Sequence, residues 1–188
     1  MTDSNYVKEV INNEIFYMSP RTVSHVRVIR RLALKFDKYF EANNLNCEAL
    51  CEGLNVQFKS SKNRVVPDIN IICDFENNNE AYYKGIPELI IEVLSPSTVK
   101  RDRGDKLKLY EKNGVKEYWI ASIADKSIEQ RILKDGKYEL INVVSIIGEN
   151  EFELLTDEQK KDYTTIIKPM NFEGLEIDLI DIFKGIIY

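Results

Sequence analysis

Alternating apolar and polar positions near the start of the chain predict one or two short strands before Met18, with Asn12-Asn13 as a turn. Ser19-Pro20 ends this segment. A helix is predicted from about Thr22 to Ala42, because apolar residues recur there at helical spacing. These residues are Val26, Ile29, Ala33, Phe36 and Phe40.

The middle of the chain has the pattern of strands separated by polar turns. Strands are predicted at Asn46–Cys51, Leu54–Phe58 and Val65–Cys73. An acidic, Asn-rich loop is predicted at Phe75–Lys84. The next segment, Leu89–Leu94, is nearly all apolar, which indicates a strand buried on both faces.

A second helix is predicted from about Val99 to Lys112, after the capping sequence Ser95-Pro96-Ser97-Thr98. Asn113-Gly114 has the chemistry of a left-handed helix end. Strands are then predicted at about Glu117–Ala121, Ser127–Leu133 and Tyr138–Val144, before a short apolar segment around Leu179–Phe183. This order favours an α/β fold with a mixed β-sheet flanked by helices over a doubly wound parallel sheet.

Length and composition fit one globular domain over residues 1–188. The chain has 188 residues, 44% of them hydrophobic and 30% charged. No apolar run approaches the roughly 20 residues that span a bilayer. The first residues lack the basic and apolar segments of a signal peptide. We therefore expect a cytoplasmic protein with no membrane partner.

Cysteine and histidine usage excludes most metal sites other than those built from oxygen ligands. The three cysteines form no C-x-x-C pair, so we expect reduced thiols rather than a disulfide or a zinc site. The single histidine, His25, cannot supply the imidazoles of a catalytic zinc site. A metal site would therefore rest on oxygen ligands, which points to Mg²⁺ or Mn²⁺.

Two carboxylates interrupt the apolar pattern of predicted strands. Asp68 lies within Val65–Cys73, and Glu92 lies within Leu89–Leu94. A carboxylate in a buried strand is costly unless it is paired or bound to a metal. A shared divalent-cation site and ordinary buried salt bridges both account for them.

Lys106, on the predicted second helix, is a candidate third member of this site. Its ammonium could stabilise charge on a reacting phosphate. Asp102 and Tyr110 would share its helix face. The residues alone favour a surface lysine paired with Asp102.

Other candidates have simpler explanations of comparable weight. Glu52 could be a further acidic ligand or a solvated turn residue beside Gly53. His25 is better explained as a packing or capping residue than as a catalyst. The net charge of −5 argues against a general nucleic-acid coating protein. The basic residues Lys100, Arg101 and Arg103 could contact phosphate or form a solvated helix face.

Four runs resemble the Uma-two restriction-endonuclease family of the PD-(D/E)XK nuclease superfamily. They are Ser24–Phe36, Val65–Asp74, Gly85–Thr98 and Arg101–Ile120. The resemblance implies a restriction-endonuclease-like sheet, with Pro67-Asp68 as the Pro-Asp element and Glu92 as the following acid. Leu94 stands where the superfamily has lysine. The resemblance transfers that role to Lys106 and, less directly, the helical acid to Glu52.

The resemblance also implies Mg²⁺-dependent phosphodiester hydrolysis, with the metal held by Asp68, Glu92 and the backbone carbonyl of Val93. We expect an endonuclease acting on DNA, and a symmetric homodimer is a reasonable arrangement. A nuclease-fold protein that binds nucleic acid without cleaving it is the alternative, because the local lysine is missing and the pI is about 5.1. A hydrolase of another phosphoester is a third hypothesis.

Overall fold

The structure is a computed structural model of the chain, and it describes residues 8–17, 20–51, 53–58, 62–76, 78–79 and 81–186. The strands are β1 Lys8–Ile11, β2 Glu14–Tyr17, β3 Glu48–Cys51, β4 Val56–Gln57, β5 Arg64–Val65, β6 Ile69–Ile72, β7 Asn78–Asn79, β8 Tyr82–Tyr83, β9 Leu89–Val93, β10 Glu117–Ser122, β11 Ser127–Lys134, β12 Lys137–Ser145, β13 Ile166–Ile167 and β14 Ile177–Asp178. The helices are α1 Val23–Ala42, α2 Val99–Arg101, α3 Leu107–Asn113, α4 Glu149–Glu153, α5 Asp157–Asp162 and α6 Leu179–Phe183, with a π-helical segment at Asp102–Lys106 between α2 and α3.

The central sheet has the strand order β12-β11-β10-β9-β6-β3. Strands β9 and β10 are parallel, and the helical segment from α2 to α3 forms the crossover that parallel neighbours require. All other neighbouring strands of this sheet are antiparallel. The predicted mixed sheet flanked by helices is confirmed. All five residues of β9 are buried, as its apolar sequence predicted.

Helices cover both faces of the central sheet. On one face, α1 packs through Val28, Leu32 and Phe36 against a core that contains Ile91 and Trp119. On the opposite face, Leu109 and Tyr110 of α3 pack with Ile90, Tyr118 and Ile120. Alternate residues of β9 therefore face different helices, and Glu92 shares the α3 side with Ile90.

A second sheet, of order β2-β1-β5-β4-β8-β7, was not predicted. Most of its strands have two residues, which is too short for a periodic signal. Strands β7 and β8 form a hairpin inside the segment predicted to be a loop. The β1–β2 hairpin that contributes the first two strands follows the prediction, with positive φ angles at Asn12 and Asn13.

The predicted strand at Val65–Cys73 is two strands that belong to different sheets. Arg64–Val65 pairs in the second sheet, and Ile69–Ile72 pairs in the central sheet. Pro67 lies between them and has no N–H to donate to a ladder, so pairing cannot continue through it. The chain therefore changes sheets immediately before Asp68.

The prediction of reduced cysteines is wrong for two of the three. Cys47 and Cys73 form a disulfide with a Cα–Cα distance of 4.1 Å. They directly flank the paired residues Glu48 and Ile72 of β3 and β6, so the strand register brings them together. Sequence spacing could not show this pairing because it depends on which strands are neighbours.

Among the helices of the described residues, none has the length and apolar character of a membrane-spanning segment.

We predict that Cys73→Ser lowers the free energy of unfolding by about 3 kcal/mol, because the disulfide closes a loop between residues 26 apart. Denaturant titration under non-reducing conditions measures the change. Cys51→Ser, a change at the cysteine outside the disulfide, is the matched control and should have a much smaller effect. Equal stability of Cys73→Ser and the wild type would contradict the prediction.

Candidate active site

The amino group of Lys106 lies among three carboxylates beneath the central sheet. Its Nζ is 2.9 Å from Oε1 of Glu92, 2.9 Å from Oε1 of Glu9 and 3.5 Å from Oδ1 of Asp102. The lysine side chain is only 2% exposed. The interpretation as a surface lysine is therefore wrong, although its predicted contact with Asp102 is present. Burial alone would lower the pKa of Lys106, but the surrounding carboxylates, led by Glu92, raise it above its usual value.

Glu92 is held by two donors from one helical face. Its Oε1 accepts hydrogen bonds from Lys106 Nζ at 2.9 Å and from the Tyr110 hydroxyl at 2.7 Å. Burial raises the pKa of Glu92 well above its usual value, and Asp102 and Asp68 add to the increase while Lys106 opposes it. The expectation that Lys106 and Tyr110 share a face is confirmed.

The π-helical segment contributes to this arrangement. It begins at Asp102 and ends at Lys106, so the helix is wider there than in a regular α-helix. Asp102 is 1% exposed, and burial raises the pKa of its carboxyl group. The Tyr118 hydroxyl donates to the Asp102 backbone carbonyl at 3.0 Å, which ties the widened segment to β10. The segment thus presents Asp102 and Lys106 together to the sheet.

Asp68 lies at the start of β6, beside the end of β9. Because Ile69 pairs with Ile91, continuing the register places Asp68 opposite Glu92. Asp68 Oδ2 accepts a hydrogen bond from the backbone N–H of Val93 at 2.7 Å. This bond fixes the carboxylate against the residue that follows Glu92, and it directs Oδ1 toward the beginning of α1.

Arg21, just before α1, and His25, in its first turn, both face Asp68. Arg21 Nη2 is 2.6 Å from Asp68 Oδ1, and His25 Nε2 is 3.2 Å from Oδ2. Burial would raise the pKa of Asp68, but the His25 contact and the Arg21 charge outweigh it, so the pKa lies below its usual value. The helix cap is Thr22 rather than His25, since the Thr22 Oγ1 accepts the His25 backbone N–H at 3.2 Å.

The imidazole of His25 has two alternative hydrogen-bonding arrangements. Its Nε2 also lies 2.9 Å from Arg21 Nη1. Nε2 accepts from Arg21 when the proton is on Nδ1, whereas it donates to Asp68 when it is itself protonated. One atom cannot do both at once. His25 can therefore hydrogen-bond either Arg21 or Asp68, whereas the Arg21 guanidinium places a positive charge beside Asp68.

Glu9 belongs to the cluster, and the sequence reasoning missed it. It is fully buried on β1, where its Oε1 accepts the Val66 backbone N–H at 3.0 Å. Glu9 lies two residues before the buried Ile11 and on the same face of the strand, and the residues beside them are only half-buried. That period of two could have indicated that Glu9 faces inward. Arg21, by contrast, precedes α1 without any periodic signal.

The predicted nucleic-acid-binding residues differ in how their charges are neutralised. Lys100 is exposed. Arg101 Nε lies 3.4 Å from Glu9 Oε2, and its guanidinium is 4.8 Å from the centroid of the Phe16 ring. Arg103 pairs with Glu129. Two of the three charges are therefore engaged by carboxylates within the protein.

The acidic residues that were predicted to bind a metal ion already have cationic partners in the structure. Among the described residues, no three His, Cys, Asp or Glu side chains are grouped as a preformed metal site. Glu52, the additional predicted ligand, lies outside the described residues. What the geometry assembles is Asp68, Glu92 and Glu9 with Lys106 and Arg21 between and beside them. Such a set can bind a hard cation, position a phosphate or both.

Comparisons with known proteins agree with this fold and this arrangement of segments. The Uma2 family model, described as "Putative restriction endonuclease", matches residues 3–159. An uncharacterized protein of Synechocystis sp. is 29% identical over 137 residues, which are 71% of this chain and 70% of that protein.

A solved structure shares the fold across nearly the whole chain. It is a crystal structure described as a putative nuclease, belonging to DUF820, from Anabaena variabilis. The TM-score is 0.71, and the match covers 97% of this chain and 93% of that chain. The sequence identity is 14%, so this similarity concerns the fold.

We predict that Lys106→Met destabilises the protein by about 3–5 kcal/mol at neutral pH, because three buried carboxylates lose their shared cation. The pKa values of Glu92 and Asp102 should then rise further above their unfolded values. Stability conferred by such a group falls as pH rises from the unfolded pKa toward the folded one, so the loss should be larger at pH 8 than at pH 5.

Denaturant titrations at the two pH values test this expectation. Lys108→Met is the matched control, because Lys108 is an exposed residue on the same helical segment. It should change stability little at either pH. A Lys106→Met effect that is small or independent of pH would show that the ammonium does not neutralise the cluster.

Proposed function

The chain belongs to the Uma2 family, described as putative restriction endonucleases, and we propose that it is a metal-dependent endonuclease that hydrolyses DNA phosphodiester bonds. The observation that carries the proposal is the meeting of Asp68, Glu92 and Lys106 where β6 and β9 lie side by side. In the proposal, residues 1–188 act as a single nuclease-like domain.

The donor set fits a hard divalent cation. The acids offer carboxylate oxygens, which Mg²⁺ and Mn²⁺ prefer. Within the described residues, Glu9 Oε2 and Asp102 Oδ1 are buried without a hydrogen-bond donor. Asp68 and Glu92, with the carbonyl of Val93, would hold the cation. When bound, such a cation lowers the pKa of a coordinated water and polarises the phosphate.

The protein's own side chains would then act on the substrate and on each other. Tyr110 fixes the orientation of Glu92 through its 2.7 Å hydrogen bond. The Val93 N–H fixes Asp68 in the same way. The Lys106 ammonium, freed in part from Glu92 by the cation, would stabilise negative charge developing on the phosphate oxygens. Burial of these groups strengthens each interaction, because little water screens them.

A second candidate is a nuclease-fold protein that binds nucleic acid without cleaving it. One observation favours it: Asp68 and Glu92 are already neutralised by Arg21 and Lys106. A protein that had lost metal binding would be stabilised by such pairs. Cleavage assays distinguish the two candidates.

Location and assembly follow from the same proposal. We propose a cytoplasmic location, where the protein would meet cellular DNA. Disulfides such as Cys47–Cys73 are uncommon in that compartment. A symmetric homodimer would place two sites on the two strands of a duplex. Light scattering that gave only a monomer would count against this part of the proposal.

We predict that the wild type cleaves plasmid or single-stranded DNA in Mg²⁺ or Mn²⁺ and that EDTA stops cleavage. Asp68→Ala should reduce the rate by a factor of 100 or more, on the order of the effect of losing an essential electrostatic contact. Gel assays of nicked, linear and fragmented products measure the rate.

Asp105→Asn is the control, because Asp105 is an exposed acid on the helix that carries Lys106. It should cleave like the wild type. If folded wild type bound DNA without cutting it in either metal, the second candidate would be supported. Hydrolysis of bis(p-nitrophenyl) phosphate without cleavage of DNA would indicate a different phosphoester substrate.

A further inference from the structure

The guanidinium of Arg21 contacts one carboxylate oxygen of Asp68, a predicted metal ligand. Its Nη2 is 2.6 Å from Asp68 Oδ1, and its Nη1 is 2.9 Å from His25 Nε2. The other Asp68 oxygen, Oδ2, accepts the Val93 N–H at 2.7 Å and lies 3.2 Å from His25 Nε2. A metal ion that bound Asp68 through Oδ1 would therefore have to displace the guanidinium.

Resting on the proposed function, we infer that Arg21 is an exchangeable counter-cation and a phosphate-binding residue of the same site. It neutralises Asp68 Oδ1 while no metal is bound. When a divalent cation takes its place, the guanidinium is released to bind a non-bridging oxygen of the DNA phosphate. Guanidinium groups donate to carboxylate and phosphate oxygens alike, so a phosphate oxygen can replace Asp68 Oδ1 as the acceptor of Arg21 Nη2.

Burial distinguishes Arg21 from the other cation of the cluster. The Arg21 side chain is 17% exposed, whereas the Lys106 side chain is 2% exposed. Lys106 also contacts three carboxylates, so its departure would leave several buried charges unpaired. Arg21 pairs with Asp68, and part of its side chain reaches solvent. Arg21 is thus the cation that can leave at the lower cost.

The exchange couples metal binding to DNA binding. Metal alone must displace the guanidinium from Asp68, which weakens its affinity. A phosphate that accepts the displaced guanidinium offsets this cost, so DNA strengthens metal binding. By thermodynamic linkage, metal strengthens DNA binding by the same factor.

We predict that Arg21→Gln binds Mn²⁺ about tenfold more tightly than the wild type, within the usual range of roughly 5–150-fold for coupled sites. Electron paramagnetic resonance of free Mn²⁺ gives the affinity without any activity measurement. A phosphorothioate-linked DNA duplex, which is cleaved slowly, should tighten Mn²⁺ binding to the wild type several-fold. The duplex should have little effect on Mn²⁺ binding to Arg21→Gln.

Three further variants make the experiment decisive. Arg27→Gln is the matched control, because Arg27 is an exposed arginine on α1, and it should keep wild-type affinity and coupling. Asp68→Asn should lose Mn²⁺ binding. Arg21→Lys keeps the charge without the paired donors, so it should retain weak metal binding and lose most of the coupling. It also serves if Arg21→Gln does not fold.

The failures of the inference and of the proposed function are distinguishable. Equal or weaker Mn²⁺ binding by folded Arg21→Gln would overturn the role of Arg21 and leave the metal site intact. Wild-type coupling in Arg21→Lys would also overturn it. Absence of Mn²⁺ binding in the wild type and in every variant would overturn the metal-dependent function itself.

Discussion

The buried ammonium of Lys106 is the interaction on which the rest of the site depends. Glu9 comes from the second sheet, Glu92 from the central sheet and Asp102 from the helical segment. Each acid would be too costly to bury alone, and each reaches the same cation at 2.9 or 3.5 Å. The charge cluster therefore requires these three elements to pack in one arrangement.

The crossing of the chain between sheets places Asp68 beside this cluster. Pro67 ends the pairing of one sheet, and the Val93 N–H then binds the Asp68 carboxylate at the start of the next. Glu9 accepts the Val66 N–H at the same crossing. The side chains of Glu9 and Asp68 thus accept backbone N–H groups near the point where the chain leaves one sheet and enters the other. The π-helical segment opposite has a comparable role, because it presents Asp102 and Lys106 together.

The balance of charges explains how a site rich in carboxylates is stable without a preformed metal cluster among the described residues. Lys106 pairs with the acids on the helix side of the sheet, and Arg21 pairs with Asp68 on the α1 side, where His25 also contacts it. The two sides differ in solvent access. The more exposed Arg21 is suited to exchange, whereas the buried Lys106 stays within the cluster.

The sequence alone determined the longer elements and identified the two central acids. Helix α1, the fully buried β9 and the helix that ends at Gly114 follow from local periodicity and capping chemistry. Asp68 and Glu92 were identifiable because each interrupts an apolar run, and a charge in such a run has to be compensated. The resemblance, rather than the pattern, selected Lys106 over a surface lysine.

Only the tertiary structure decided which charges meet and which strands are neighbours. The Asp102–Lys106 pair follows from local i,i+4 spacing, but no local pattern records that the same ammonium also contacts Glu9 and Glu92. Arg21 and the Cys47–Cys73 disulfide were missed for the same reason. Hydrophobic periodicity reports how a segment faces the core, whereas ion pairing and cross-strand bonding depend on the packing of distant segments.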